Sequence, residues 1–449
     1  MTIVIAGERS GVGKTTVTLA LLASLQRRGL KVQSFKVGPD YIDPMFHQYV
    51  TGRPSRNLDP VLTSEVYVQQ CFARHLLGVD YALVEGVMGL FDGVKGETPS
   101  WASTAHIARL LELPVVLVLD CSRLSGSVAA IAHGYCSFDP RIKIIGVVLN
   151  RVGSDRHLEL LKDALEPLQL PILGILRRQD NITIPDRHLG LIPTAELPHL
   201  DAVIDQLAQL GDDCFDWEQL LPLLKAKNPL VTFPVNQEKG KETVKIAIAR
   251  DRAFSFYYPD NLDILEAFGA EVVFWSPLTE TLPLGIQGLY FGGGFPEVFA
   301  AELAENTLAR DAVRAAILSG MPTYAECGGL MYLCKQIIDF EGRSHSMVGV
   351  LPTDAIMGSR LTLGYRQAVA LHDSPLVSTG VTVVGHEFHR SHLSQTPTKP
   401  LFHSRSYSSP SATDEGWQLH QVHASYIHLH WGANPQPAQR FLAAAKSYS

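Results

Sequence analysis

The segment Gly7-Glu-Arg-Ser-Gly-Val-Gly-Lys-Thr-Thr16 follows a short apolar run, Thr2–Ala6, and opens a helical pattern, Thr15–Arg28. Few segments restrict a fold so tightly. A glycine-rich turn between a buried strand and a helix wraps its backbone N–H groups around phosphate oxygens, and the helix N-terminus adds positive potential. Gly11, Gly13, Lys14, Thr15 and Thr16 are therefore expected to hold the phosphates of a nucleotide. Lys14 would reach the β- and γ-phosphates, and the Thr15 hydroxyl would meet Mg2+. The spacing departs from the usual one, because the first glycine precedes Gly13 by six residues and Glu8 occupies the position where glycine is standard.

The same alternation continues down the chain. Val32–Val37, Tyr81–Glu85, Val115–Asp120 and Ile144–Asn150 read as buried strands, separated by periodic segments such as Glu65–Leu77 and Ala102–Leu111. Strand and helix in turn predict an α/β fold with a parallel sheet covered on both faces. Pro198–Leu210 and Trp217–Lys225 read as two helical pieces leading into a Pro- and charge-rich stretch, NPLVTFPVNQEKGKET. A second α/β series begins at Lys245–Ala249 and runs through Asp260–Phe268, Glu271–Trp275 and Gly288–Phe291. The predicted organisation is a first domain over 1–195, a connection over 196–243 and a second domain over 244–449. At 449 residues the chain is too long for one core.

Composition excludes several classes. Thirty-eight basic against forty-five acidic residues leave a net charge of −7, which argues against a nucleic-acid surface. The six cysteines form no CxxC pair, so neither a disulfide framework nor a zinc site is expected. No run approaches a membrane span, and the N-terminus lacks the features of a signal peptide. A cytoplasmic protein without membrane partners is expected, and a homodimer is an allowed assembly.

Ligands of such sheets collect at the carboxyl ends of the strands. There lie Asp40 and Asp43 in KVGPDYIDP, and Glu85 and Asp92 in EGVMGLFDG. Carboxylates beside a phosphate loop serve Mg2+ or orient an attacking group, although turns and helix caps would explain any one of them. Thr15, Asp40 and Glu85 form the predicted metal set. Arg53 and Arg56 could meet substrate carboxylates, and Asn150 could read adenine or close a turn.

The second half contains MPTYAECGGLMYLC, an apolar lead-in to a cysteine, two glycines and a helical pattern. This is the pattern of a nucleophile elbow, with Cys327 at its tip. Cys334 reads as core. A thiol nucleophile needs a base, and QVHASYIHLHW offers His423, His428 and His430. Tyr290–Phe295 runs a strand into three glycines whose N–H groups could form an oxyanion hole.

Taken in order, SGVGKTT, KVGPDYIDP, GRPSRNLD, EGVMGLFDG, RHLGL, ECGGLMYL, RLTLGYR, GHEFHRS and ASYIHLHW resemble the blocks of the cobyrinic acid a,c-diamide synthases. Close relatives of that family act on hydrogenobyrinic acid or nickel sirohydrochlorin. The resemblance spans the chain and implies a domain similar to dethiobiotin synthetase followed by a class I glutamine amidotransferase domain. It implies ATP and Mg2+ as cofactors, with cobyrinic acid and glutamine as substrates in cobalamin biosynthesis. By resemblance, Asp40, Asp43, Glu85 and Asp92 serve Mg2+, substrate positioning and acyl-phosphate formation, and Ile42 lies by the corrin side chains. Cys327 becomes the glutaminase nucleophile, with His428 favoured as its base and His430 next. Two rival readings are a partitioning-type P-loop ATPase and an enzyme that amidates another polycarboxylate, as cobyric acid synthase does. KVGPDYIDP and EGVMGLFDG argue against both.

Overall fold

The computed structural model describes residues 1–94, 100–178, 185–187, 190–227, 243–409 and 411–448. These divide into two compact units. The linker stretch 228–242 lies outside the described residues.

The first unit alternates β1 (Ile3–Gly7), α1 (Lys14–Arg27), β2 (Val32–Val37), α2 (Ile42–Thr51), β3 (Arg56–Leu58), α3 (Glu65–His75), β4 (Tyr81–Glu85), α4 (Thr104–Leu110), β5 (Val115–Asp120), α5 (Ser127–Phe138), β6 (Ile144–Val152), α6 (Asp155–Leu165) and β7 (Ile172–Arg177). The seven strands pair in the order β3-β2-β4-β1-β5-β6-β7, parallel throughout. β1, β2 and β5 are buried along their whole length, which is why they read as continuous apolar runs. Register then sets the site. Lys36 of β2 stands opposite Glu85 of β4, and Asp120 of β5 opposite Asn150 of β6.

A small pair, β8 (Asp186–Arg187) and β9 (Gly190–Leu191), precedes α7 (Leu200–Cys214) and α8 (Trp217–Leu224). The sequence reading placed these two helices in a connecting segment, but they belong to the first unit. Ser24 of α1 lies 3.0 Å from the Ala208 carbonyl and 2.6 Å from Asp212 of α7. A Cβ on Gly211 would stand 2.4 Å from the Ala20 carbonyl, so only glycine allows the two backbones this close. Helical periodicity was legible here; the partner of its apolar face was not.

The second unit contains β10 (Val244–Ala249), α9 (Pro259–Ala267), β11 (Ala270–Trp275), β12 (Gly288–Phe291), α10 (Ala300–Glu305), α11 (Thr307–Leu318), β13 (Thr323–Glu326) and α12 (Gly328–Leu333). It continues with β14 (Gln336–Ile338), β15 (Ser344–Ser346), β16 (Ala355–Ala370), β17 (Thr382–Leu393), β18 (Pro400–Ser406), β19 (Ala412–Leu419), β20 (Val422–Ser425), β21 (His428–Leu429) and α13 (Gln436–Lys446). Strands β11-β10-β12-β13-β20 form a parallel core, extended from β19 onward by strands that pair antiparallel except for the parallel pair β14 and β16. β21 pairs with β17, placing His428 opposite His386. No helix among the described residues is long and apolar enough to cross a membrane.

Candidate active sites

In the first unit, β1 ends at Gly7 and α1 starts at Lys14. Gly11 and Gly13 have φ of 77° and 97°, the left-handed region a side chain resists. Gly7 packs against Val12, whose Cγ2 would be 2.5 Å from a Cβ there. The shifted loop spacing is absorbed at Glu8, whose carboxylate turns toward β5 and accepts the Asp120 N–H at 3.3 Å. Burial raises the pKa of that carboxyl. Arg9 bonds Asp120 at 2.9 Å, so Glu8 and Arg9 both point across to the end of β5.

Asn150 closes β6 and holds the loop from behind. Its amide donates to the Val12 carbonyl at 2.8 Å, and its oxygen accepts the Arg151 N–H at 2.9 Å. A Cβ on Gly13 would lie 2.2 Å from that amide nitrogen. Gly13→Ala is therefore expected to displace the loop and lower ATP-dependent amidation by about 100-fold, since an ångström of misplacement costs that much. Ammonia-dependent and glutaminase assays run on the same preparation check it, because the glutaminase should stay near wild type.

Behind the loop lies a compact charge cluster. The Thr15 hydroxyl is shared between Glu85 at 2.8 Å and Asp43 at 3.2 Å. Lys36, buried at the end of β2, donates to Asp43 at 2.5 Å, to the same Glu85 oxygen at 2.9 Å and to the Gly86 carbonyl at 3.2 Å. The second Glu85 oxygen bonds His47 Nε2 at 2.7 Å, and His47 Nδ1 meets Ser55 at 3.2 Å. Burial alone would raise the Glu85 pKa, yet Lys36 and His47 hold it well below the usual carboxylate range. Burial opposes the charge on Lys36 too, but Asp43, Glu85 and Asp40 raise its pKa. For Asp43, burial and the nearby Asp40 push the pKa up despite Lys36. Lys14 donates to the Met88 and Arg9 carbonyls, and burial together with Lys36 pushes its pKa down to about 8.

The four predicted carboxylates thus separate. Glu85 and Asp43 reach Thr15. Asp40 instead caps α2, accepting the Ile42 and Asp43 N–H groups at 2.9 and 3.2 Å, and stands 3.7 Å from Lys36. Asp92 accepts the Gly89 N–H at 2.8 Å in a turn beside the loop. Arg53 contacts Gln33 at 3.4 Å, and Arg56 is buried. Ile42 packs toward β9, its Cδ1 3.6 Å from where a Gly190 Cβ would be. Lys36 and His47 went unread in the sequence. The signal for Lys36 was a lysine inside an otherwise buried strand, which only a counter-charge permits.

Thr15, Glu85 and Asp43 offer hard oxygens of the kind Mg2+ takes. Among the described residues no group of three or more His, Cys, Asp or Glu side chains is placed to hold a metal.

In the second unit Cys327 follows β13 and starts α12 with φ 47° and ψ −99°, a strained elbow. Its N–H is fixed to the Ser425 carbonyl at 2.8 Å. Gly329 must be glycine, because a Cβ would lie 2.4 Å from the Phe291 carbonyl. Of the three histidines, His428 faces the thiol. Burial disfavours its charge, but the Cys327 thiol and the Glu326 carboxylate beside it carry its pKa up to about 10. His430 lies on the Tyr258 ring, 4.0 Å from Asp260. His423 meets Ser374 at 2.9 Å, and burial drives its pKa down to about 3. Cys334 bonds the Leu330 carbonyl at 3.3 Å, and burial raises its pKa; it is core. Of the three glycines after β12, Gly292 gives its N–H to the Tyr257 hydroxyl at 2.9 Å. The Gly294 nitrogen lies close to Gly328, 3.1 Å from where a Cβ there would be.

Two family descriptions match the chain: a CobQ/CobB/MinD/ParA nucleotide binding domain over residues 3–192 and a CobB/CobQ-like glutamine amidotransferase domain over 245–436. The chain is 61% identical to a cobyrinate a,c-diamide synthase of Synechococcus sp., covering 99% of this chain and 98% of that one. It is 53% identical to a cobyrinate a,c-diamide synthase of Synechocystis sp., covering 100% and 94%. A hydrogenobyrinate a,c-diamide synthase of Streptomyces coelicolor is 43% identical, over 99% and 97%. A phosphate loop on one unit, a thiol–imidazole pair on the other and this likeness along the whole length agree, and the chain belongs to the cobyrinate a,c-diamide synthase family.

Proposed function

We propose that this chain converts the a and c acetate carboxylates of cobyrinic acid to amides, with glutamine as nitrogen donor and ATP as activator. The observation that carries the reading is the lysine–carboxylate cluster of Lys36, Asp43 and Glu85 behind the phosphate loop, on a chain that also bears the Cys327–His428 pair. A carboxylate does not condense with ammonia at neutral pH, so its oxygen must first be made a leaving group.

In the second unit, the Cys327 sulfur attacks the side-chain amide carbon of glutamine as its proton passes to His428. The tetrahedral oxyanion is met by the N–H groups of Gly328 and Gly294. His428 returns the proton to the departing nitrogen, ammonia leaves, and water hydrolyses the thioester to glutamate. In the first unit, a substrate carboxylate oxygen attacks the γ-phosphorus and ADP departs. Lys14 and Lys36 balance the charge that builds on the transferred phosphoryl group. Ammonia then attacks the acyl carbon of the acyl phosphate; inorganic phosphate leaves and one proton is released. Mg2+, held by Thr15, Glu85 and Asp43, would supply further neutralisation of phosphate charge. Asp40, more exposed than Asp43 and Glu85, is left to position the acceptor, and Asp92 holds the turn that carries Met88 to Lys14.

The test is to incubate the protein with ATP, glutamine and cobyrinic acid, hydrogenobyrinic acid or nickel sirohydrochlorin in turn, then to weigh the products. Exchange of OH for NH2 lowers the mass by one unit, so two such steps on cobyrinic acid are the expected result. Phosphate release with every macrocycle unchanged in mass would refute the reading.

A further inference from the structure

The base of a thiol nucleophile works only if something fixes its ring and tolerates its charge. The second unit provides such a group at a position that none of the sequence motifs had assigned. We propose that Glu326, the residue immediately before the nucleophile, is the positioning carboxylate of the glutaminase site, orienting His428 through Nδ1 so that Nε2 meets the Cys327 thiol.

Glu326 closes β13 and is 1% exposed. Its two oxygens have different work. Oε1 accepts the Tyr324 hydroxyl and, at 2.9 Å, the N–H of Leu429. Oε2 accepts the Tyr290 hydroxyl at 3.3 Å and stands 3.7 Å from His428 Nδ1. One carboxylate therefore holds the main chain next to His428 and stands beside the Nδ1 edge of its ring. β21 is only two residues long, so this grip sets where the imidazole sits. A gap of 3.7 Å is longer than a hydrogen bond, as is common before substrate binds.

The surrounding charges leave this role to Glu326. On β17, facing β21, burial holds His386 neutral with its pKa down to about 3, and His389 likewise to about 4. Glu387, also on β17, is engaged by Arg366 of β16 at 2.7 Å. Tyr290 and Tyr324 stay protonated, because burial and Glu326 raise both. The other histidine–carboxylate pair, His430 with Asp260, does not include the base. A buried carboxylate is costly unless hydrogen-bonded and matched by positive charge. Two hydroxyls, one N–H and the His428 imidazolium meet that condition for Glu326.

The inference rests on Cys327 and His428 being the glutaminase pair. Glu326→Gln keeps the shape and removes the charge. The measurements are the rate of Cys327 alkylation by iodoacetamide from pH 5 to 10, kcat and KM for glutamine, and ammonia-dependent amidation as the check on folding. The expected result is a kcat for glutamine lower by about 100-fold with KM little changed. The rising alkylation limb should move up by about one pH unit, because a less stable imidazolium leaves the thiol harder to ionise. Glu326→Asp, which restores the charge, should recover part of both. An unchanged alkylation profile in the Gln variant overturns the inference, whatever happens to turnover. So does equal loss in the Asp and Gln variants with the profile unmoved, which would make Glu326 a packing residue. If unmodified protein is not alkylated at Cys327 at all, the glutaminase reading fails instead, and the two failures are told apart.

Discussion

Cys327→Ser is expected to remove glutamine-dependent amidation, by about 10⁴-fold or more, and to leave ammonia-dependent amidation within about twofold. The hydroxyl of serine is far less acidic than a thiol, and His428 is tuned to the thiolate: the Cys327 thiol is the first of the influences that raise it. The side chains are nearly isosteric, so the elbow at φ 47° and the Ser425 anchor should survive. The nucleotide binding domain lies in the other unit, to which the proposed function also assigns acyl transfer and the macrocycle. Steady-state rates with glutamine and with ammonium salts on one preparation decide the matter. Parallel loss of both would mean that the two activities are not divided as proposed.

Lys36→Met is expected to have the opposite signature. Amidation should fall by about 10³-fold with either nitrogen source, because the proposed mechanism loses one of the two positive charges it sets at the phosphoryl group. Glutamine hydrolysis should remain. The variant leaves Asp43 and Glu85 buried without their lysine, and breaking a buried ion pair typically costs about 3–5 kcal/mol. Thermal unfolding should therefore accompany the assay. Lys36→Arg keeps the charge and serves as the second variant. If it regains stability but not turnover, the position of the ammonium matters as well as its charge. Wild-type rates in a folded Lys36→Met protein would remove Lys36 from the chemistry.

The comparison between these two residues explains what a linear reading could reach. Cys327 announced itself because an elbow is local: lead-in, nucleophile, two glycines and a helix all lie within a few residues. Lys36 did not, because a lysine at a strand end has many ordinary explanations. Its meaning comes from the β2–β4 register that sets it opposite Glu85, and from a helix turn that brings Asp43 to 2.5 Å. The same limit governed the carboxylates. All four lie at or just beyond strand ends, yet Asp40 caps α2 and Asp92 closes a turn. Asx-type capping is common enough that spacing alone does not separate it from ligation.

By itself the sequence determined the phosphate loop, the parallel α/β order of the first unit, the elbow at Cys327 and, through its blocks, the family. Each of these depends on contiguous residues whose backbone preferences and apolar periods are local properties. Tertiary structure decided which groups face one another. It assigned α7 and α8 to the first unit, brought Asp43 rather than Asp40 to Thr15, and tied Asn150 to the loop. It also set His428, which the resemblance had favoured, opposite His386 through the pairing of β21 with β17. Those outcomes depend on cross-strand register and on charge balance in buried surroundings, which join residues dozens to hundreds of positions apart and so leave no spacing in the chain to be read.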